Sequence, residues 1–282
     1  MAKRKTRKIV QVISAVLYNA NVGGFASGTL YRGVGKNVCV PGLNCYSCPG
    51  AVGACPLGSL QVALGTFPKA FPLYVVGFLL LFGALFGRLI CSFACPFGLI
   101  QELLYKIPTP KLKKNRLTRI LSGLKYVILV VFVIALPLYY LAVNGVISPA
   151  FCKYVCPAGI LEGAFPLMLA DHSLFDMAGL LFIFKVLMLS AVVVSAVFVY
   201  RSFCRFLCPL GAIYSFFNRV AIFGIRVDEK KCIHCNRCVR TCKMDVREVN
   251  DRECIRCGEC REVCPTGALD RRLDLKGKGI EK

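Results

Sequence analysis

The chain of 282 residues is short of acid and nearly empty of histidine: 15 aspartates and glutamates face 36 lysines and arginines, and only His172 and His234 represent imidazole. Two histidines, one of them inside a cysteine-rich run, leave no pairs for bis-histidine haem. No glycine-rich dinucleotide fingerprint lies between a strand and a helix, and there is no P-loop or nucleophile–base arrangement. Nicotinamide binding, nucleotide-phosphate binding and hydrolytic catalysis therefore have no sequence support. The net charge of +21 does not mark a nucleic-acid binder either. Residues 226–282 carry 15 basic against 11 acidic residues, without a base-stacking module.

What the chain has in quantity is apolar surface and thiol. Hydrophobic residues make up 56% of it, mean hydropathy is +0.62, and there are 18 cysteines. Such apolarity belongs to a membrane protein rather than a soluble domain. A bilayer core takes about 20 mainly apolar helical residues, and four stretches qualify: 9–30, 71–90, 120–143 and 177–200. The first is the weakest, holding Asn19, Asn21 and several glycines. Its basic lead also fits a cleaved signal peptide, but its length and the span that follows favour an uncleaved anchor. Residues 1–8 hold five basic residues and 106–119 hold six, whereas 31–70 hold three and 144–176 one. The positive-inside rule then places both termini in the cytoplasm and segments 31–70 and 144–176 outside. Lys125 and Lys185 fall inside predicted spans, either snorkelling or pairing within the bundle, or compensating a buried anionic centre.

The pattern Cys-Pro-x-Gly-x-aliphatic occurs at Cys55, Cys95, Cys156 and Cys208, and the last three have a partner four residues earlier: Cys91, Cys152 and Cys204. In the predicted topology the motifs alternate outside, inside, outside, inside, so the membrane part reads as a duplicated unit. Proline at the first helical position predicts a short helix whose free amides face the thiolates. Cys91, Cys95, Cys204 and Cys208 provide four thiolates for one inner [4Fe–4S] cluster, with Arg88 and Arg201 three residues ahead of each pair. Those arginines either offset cluster charge or anchor the boundary. Four thiolates would equally satisfy a structural zinc; the cysteine runs that follow in the same chain weigh for iron and sulfur. Outside, six cysteines compete for one further cluster: Cys48, Cys55, Cys152 and Cys156 are the preferred set. Cys39 and Cys45 are substitutes, and an oxidising surface also permits disulfides.

Residues 232–242, CIHCNRCVRTC, and 254–265, CIRCGECREVCP, each carry the C-x2-C-x2-C-x3-C spacing in which the fourth cysteine serves the other cluster. One cluster takes Cys232, Cys235, Cys238 and Cys264; the other takes Cys254, Cys257, Cys260 and Cys242. Lys243 stands where proline usually follows the first run, and His234 reads as a surface residue. So small a unit depends on its clusters for stability.

The last 50 or so residues resemble a 2[4Fe–4S] ferredoxin. The whole chain, with CxxxCP after apolar spans and a C-terminal ferredoxin, resembles the NapH-type membrane polyferredoxins and the polyferredoxin portions of NosR- and CcoG-like proteins. That resemblance implies four spans, cytoplasmic termini and membrane-linked electron transfer, often from quinol. The chain departs from the pattern in its outward cysteines and in lacking a fused flavin-binding domain. The expected architecture is an α-helical membrane domain over 1–225, with four transmembrane helices and short re-entrant or interfacial helices. A small α+β ferredoxin domain over 226–282 completes it. Two [4Fe–4S] clusters are expected in the ferredoxin and one or two in the membrane.

Three roles share these ligands. The first is an electron conduit, an electron-transfer component of an oxidoreductase system. It would connect a soluble ferredoxin or flavodoxin on the cytoplasmic side to an extracytoplasmic flavoprotein or reductase. The second is a quinol or quinone oxidoreductase subunit, with Glu102, Glu162, Asp171 and His172 as the available proton handlers. The third is a redox-sensing or metal-centre maturation factor. Distance is the obstacle to the first, because a hydrocarbon core is about 30 Å thick; re-entrant outer segments would shorten the path.

Overall fold

In the computed structural model, residues 2–66, 71–112, 114–175 and 179–273 are described. The part that precedes β1 is mainly helical, apart from an irregular segment around residues 38–55 pinned by a bridge between Cys39 and Ala54. Helix α1 (Ala2–Tyr18) is followed by α2 (Pro56–Ala63), α3 (Leu73–Phe86) and α4 (Pro96–Leu104). The second half contains α5 (Arg116–Asn144), α6 (Gly159–Ala170), α7 (Leu180–Phe198) and α8 (Pro209–Phe216). Two of these, α5 and α7, are long and apolar enough to cross a bilayer, matching the stretches expected at 120–143 and 177–200. Residues 177 and 178, at the start of the latter, lie outside the described residues.

The other two expected spans are shorter than the sequence suggests. Helix α3 has 14 residues, about 21 Å of rise against a core of about 30 Å. Gly87 ends it with φ +52°, where an added Cβ would meet Asn218 Oδ1 at 2.9 Å. Helix α1 stops at Tyr18, where Asn19 turns its side-chain amide to Asn44 and to the carbonyl of Ala15. Polar side chains that close on protein partners need not continue a helix into lipid. Within α5, residues Leu129–Ala135 wind as wide π-helical turns. Pro137 has no N–H for the Val133 carbonyl four residues earlier, and the widened turns absorb the mismatch.

The C-terminal part is built on one antiparallel pair, β1 (Phe223–Val227) with β2 (Leu269–Leu273), in register Phe223↔Leu273 and Val227↔Leu269. Between them lie the cysteine loops and two short helices, α9 (Arg237–Thr241) and α10 (Glu259–Glu262). The loops repeat one backbone pattern: His234 and Arg256 two residues after the first cysteine, and Asn236 and Gly258 four after, all have positive φ. Asparagine and glycine tolerate that region best. His234 is exposed.

This unit is packed firmly onto the membrane part. Phe86 at the end of α3 stacks on Phe223 of β1, ring centroids 4.9 Å apart. Tyr200 joins Met244, Val246 and Ile255 in a small buried cluster. A larger core runs through both halves of the membrane part, from Leu57 and Phe151 to Phe97, Phe203 and Tyr214. Cysteines of both motif sets are embedded in it.

Candidate metal centres

Cys91, Cys95, Cys204 and Cys208 are buried and line one pocket, closed by Ile90, Leu210 and the loop Pro41–Leu43. Cys95 and Cys208 stand at the N-caps of α4 and α8 in extended conformation, each with proline at the first helical position. Cys55 caps α2 in the same way; the fourth motif departs, with the helical turns starting beyond Ala158. In every motif the N–H of the glycine three residues on faces the cysteine sulfur: Gly58 to Cys55, Gly98 to Cys95, Gly159 to Cys156 and Gly211 to Cys208. Helix-start amides aimed at sulfur favour the anionic thiolate.

The two arginines cross between the halves. Arg88, ahead of Cys91, donates to the carbonyl of Cys204 at 3.2 Å, and Arg201, ahead of Cys204, donates to the carbonyl of Cys91. Each passes over the motif glycine of the opposite half: a Cβ on Gly98 would lie 3.2 Å from Arg201, and one on Gly211 would lie 3.7 Å from Arg88. Both side chains are fully buried. They are therefore not interfacial anchors but cations held against the cysteine loops.

Their counter-charges come from two glutamates. Glu102 accepts from Arg201 Nη2 at 2.7 Å and Nε at 3.0 Å, from Arg7 at 2.7 and 2.9 Å, and from the Tyr200 hydroxyl at 2.7 Å. Burial pushes the Glu102 carboxyl up, but Arg201 and Arg7 outweigh it and hold the group at about 2. Glu102 is thus a fixed anion rather than a proton carrier. Glu253 pairs with Arg88 at 2.9 Å and with Lys125, which answers the question of that lysine: it is buried and paired within the protein. Because Glu253 precedes Cys254, Arg88 joins the membrane cysteines to the ferredoxin loop. Asn218 adds to the joint, donating to the carbonyls of Asp251 at 2.7 Å and Cys254 at 2.6 Å.

A second pocket lies around α2 and is lined by five cysteines, Cys39, Cys45, Cys55, Cys152 and Cys156. Cys45, Cys55 and Cys152 all lie in the electrostatic surroundings of Cys156. The structure brings Cys45, not Cys48, to this group. Cys48 instead donates to Asn19 Oδ1 at 3.4 Å and does not line the pocket. Cys39 has its backbone N–H on the Tyr74 hydroxyl. None of the 18 cysteines is in a disulfide. Lys185 stands beside Gly159 and Cys152, placing its charge at this second group.

Sequence reasoning missed two side chains that repeat the same device. Gln101 donates to Cys204 Sγ at 3.1 Å and accepts from the Phe203 N–H at 3.0 Å. Gln61 donates to Cys152 Sγ at 3.4 Å and accepts from the Phe151 N–H at 3.0 Å. The signal was present, since both stand six residues after their motif cysteine, in CPLGSLQ and CPFGLIQ, and both face a Phe-Cys pair.

In the C-terminal part Cys242, Cys254, Cys257 and Cys260 line one pocket, the grouping that the spacing predicts. Cys232, Cys235, Cys238 and Cys264 are half-buried. Of the other expected polar groups, Asp171 is exposed and bonded to Ser173, and His172 is exposed and stacked on Phe175. Glu162 is enclosed and accepts from the Cys45 N–H at 2.8 Å.

The donor sets suit iron–sulfur chemistry better than a bare ion. Four sulfurs around zinc at 2.3 Å would lie about 3.8 Å from one another. Among the described residues no three cysteine sulfurs come within 4.8 Å of one another; the only metal-sized trio among them is Glu229, Cys232 and His234, of which the first and last are exposed. Wider groups of soft thiolates, with Cys55, Cys95, Cys156 and Cys208 each met by a backbone N–H and Cys152 and Cys204 by a glutamine amide, fit a [4Fe–4S] cluster.

Comparison with known proteins agrees. One family model, a 4Fe-4S binding domain, matches residues 69–115, 125–165 and 181–226, and a second 4Fe-4S binding domain matches 247–270. An uncharacterized protein of Methanocaldococcus jannaschii is 30% identical over 168 residues, 57% of this chain and 60% of the relative; a second from that organism is 30% identical over 53% of its own length. This chain thus spans little more than half of those relatives. The methylamine utilization ferredoxin-type protein MauN of Methylobacillus flagellatus is 28% identical over 71% of this chain and 66% of its own. The ferredoxin-type protein NapH of Escherichia coli is 25% identical over 66% and 59%. No solved structure matches.

Proposed function

The chain belongs to the NapH-type polyferredoxins, and from that premise we propose that it is a membrane-bound relay carrying single electrons between its ferredoxin loops and cysteine sites within the bilayer, onward to an extracytoplasmic redox partner. The observation that carries this reading is the physical continuity of the sites. Glu253 and Asn218 tie the Cys254 loop to Arg88, Arg88 grips the Cys204 loop, and cysteines of the second pocket are packed in the same core.

In this reading Cys91, Cys95, Cys204 and Cys208 hold one cluster and Cys45, Cys55, Cys152 and Cys156 hold another. The two ferredoxin quartets hold the remaining pair. A [4Fe–4S] cluster supplies reversible one-electron storage. The protein's own residues do the rest. Motif glycine N–H groups and the Gln61 and Gln101 amides stabilise negative charge on sulfur, and Arg88, Arg201 and Lys185 offset it at close range. The apolar core keeps water from the membrane sites. Helices α5 and α7 span the bilayer, and the shorter α1 and α3 pack beside them together with re-entrant cysteine segments. Lys- and Arg-rich segments and the ferredoxin unit face the cytoplasm, where a soluble ferredoxin or flavodoxin exchanges electrons.

The test is vectorial. Purified protein in sealed vesicles, supplied outside with a membrane-impermeant reductant, should reduce an impermeant acceptor trapped within. The Cys152→Ser/Cys156→Ser protein should lose that transfer while its ferredoxin centres still reduce. Equal rates in the two proteins would reject the relay.

A second reading has one observation of its own. The outer cysteine pocket is itself a cavity of about 620 Å³, within the range of small-molecule sites, with mostly apolar walls that include Val62, Tyr74 and Pro149. A quinone or quinol exchanging electrons there would make the protein an oxidoreductase subunit. Quinol-dependent reduction of the centres, blocked by Val62→Trp, would favour this reading over the relay to a protein partner.

A further inference from the structure

Residues Pro41–Asn44 belong by sequence to the outer segment, yet they lie between the two membrane cysteine sites. Leu43 lines both pockets. The backbone N–H of Leu43 faces the sulfur of Cys95, and that of the next residue, Asn44, faces the sulfur of Cys55. Two consecutive amides thus serve ligands of two different sites. The segment is fixed on all sides. Gly42 presses on the inner loop so closely that a Cβ would meet the Ala94 carbonyl at 2.8 Å and the Cys95 Cα at 3.2 Å. The Tyr214 hydroxyl donates to the Pro41 carbonyl at 3.0 Å, and Asn19 donates to Asn44 Oδ1 at 3.0 Å. Gln11 in α1 holds the other face of the inner loop through the Cys95 carbonyl at 3.0 Å.

Helix α1 provides a ruler. Gln11 touches the inner loop and Asn19 the outer one, eight residues later, or about 12 Å of helical rise. A full hydrocarbon core is about 30 Å. The outer segment therefore dips into the protein interior, which irregular backbone does inside a membrane only where protein buries it.

We propose that Pro41–Asn44 is a shared wall that couples the two membrane centres, so that they behave as one magnetically and electrostatically interacting pair rather than two independent stations. The inference rests on the relay reading and deepens it. An electron lost on one side of the wall is gained on the other, and no proton moves with it. Charge on one site is felt at the other because only one leucine and a peptide unit intervene, with no water layer to screen them. The two amides act as positioning groups: they fix the separation of the two ligands and stabilise both.

The experiment uses the full chain, purified anaerobically and fully reduced. Electron paramagnetic resonance should show the inner-site signal broadened and fast-relaxing. In the Cys152→Ser/Cys156→Ser protein, which removes the outer site, that signal should sharpen and its relaxation slow several-fold. Gly42→Ala, which drives the wall off the inner loop, should weaken the interaction with iron content unchanged. Leu43→Met should keep it. If Gly42→Ala fails to fold, Tyr214→Phe, which frees only the Pro41 carbonyl, serves in its place. Full iron at both sites with wild-type signals that are a plain sum of isolated centres would overturn the wall and leave the relay standing. Iron at the ferredoxin sites alone would overturn both.

Discussion

Glu102→Gln removes one negative charge from between two guanidiniums, and the structure sets the size of the effect. Glu102 is 4% exposed, Arg7 2% and Arg201 0%, so none of the three is repaid by water when the pair is broken. A carboxyl held at about 2 instead of 4.5 stabilises the folded state at neutral pH by about 3 kcal/mol, at about 1.4 kcal/mol for each pH unit of depression. Removal of one partner from a buried pair costs about 3–5 kcal/mol by general experience, which agrees. The sign follows from the depressed folded value: the stabilisation is complete above about pH 4.5 and is lost as pH falls toward about 2. From roughly pH 6 to 8 the difference between the two proteins should accordingly be flat. The assay is thermal loss of cluster absorbance in detergent, under anaerobic conditions and at one scan rate. A drop of about 6–10 °C in apparent Tm is expected for a chain of this size. The Gln variant should also raise the potential of the inner site, because Arg201 then stands uncompensated against the Cys91 carbonyl. An apparent Tm within about 2 °C of the unaltered protein would refute the claim that Glu102 is the fixed counter-ion of the crossed arginines.

Three more outcomes are expected. Cys45→Ser should lose about four iron atoms per chain, one cluster's worth, and Cys48→Ser none, as read by iron and sulfide analysis. Glu253→Gln leaves Arg88 and Lys125 without their carboxylate at a cost of about 3 kcal/mol, so limited proteolysis should release the ferredoxin segment faster. Gln101→Leu should lower the potential of the inner site and Gln61→Leu that of the outer one, since each loses a single N–H to sulfur; potentiometric titration distinguishes them.

Much of the chemistry was legible because it depends on spacing. The CPxG motifs opened helices at Cys55, Cys95 and Cys208, where proline favours the first turn, though not at Cys156, and the duplicated unit appeared as crossed arginines. The group Cys242, Cys254, Cys257 and Cys260 followed from the run pattern. The long apolar helices within 120–143 and 177–200 were visible as apolar stretches carrying one lysine each, Lys125 and Lys185. By contrast, 9–30 and 71–90 were overestimated, because hydropathy does not register where Asn19 finds Asn44 or where Gly87 must turn against Asn218. That Cys45 and not Cys48 lines the second pocket was illegible for a similar reason. The two cysteines are three residues apart, and only the partner of Asn19 decides which thiol turns away. Glu102 read as an available proton handler, and Glu253 carried no signal of its own, until the fold placed arginines from distant segments around them. The shared wall at Pro41–Asn44 is wholly tertiary, since nothing in PGLN reveals that two sites meet there.

The central claim is that the membrane part holds two cluster sites beyond the ferredoxin pair. Iron and acid-labile sulfide counted on anaerobically purified protein test it most directly, alongside the Cys91→Ser/Cys204→Ser and Cys152→Ser/Cys156→Ser proteins. The account predicts about sixteen iron atoms per chain, falling to about twelve in either double variant. About eight in all three proteins would contradict it.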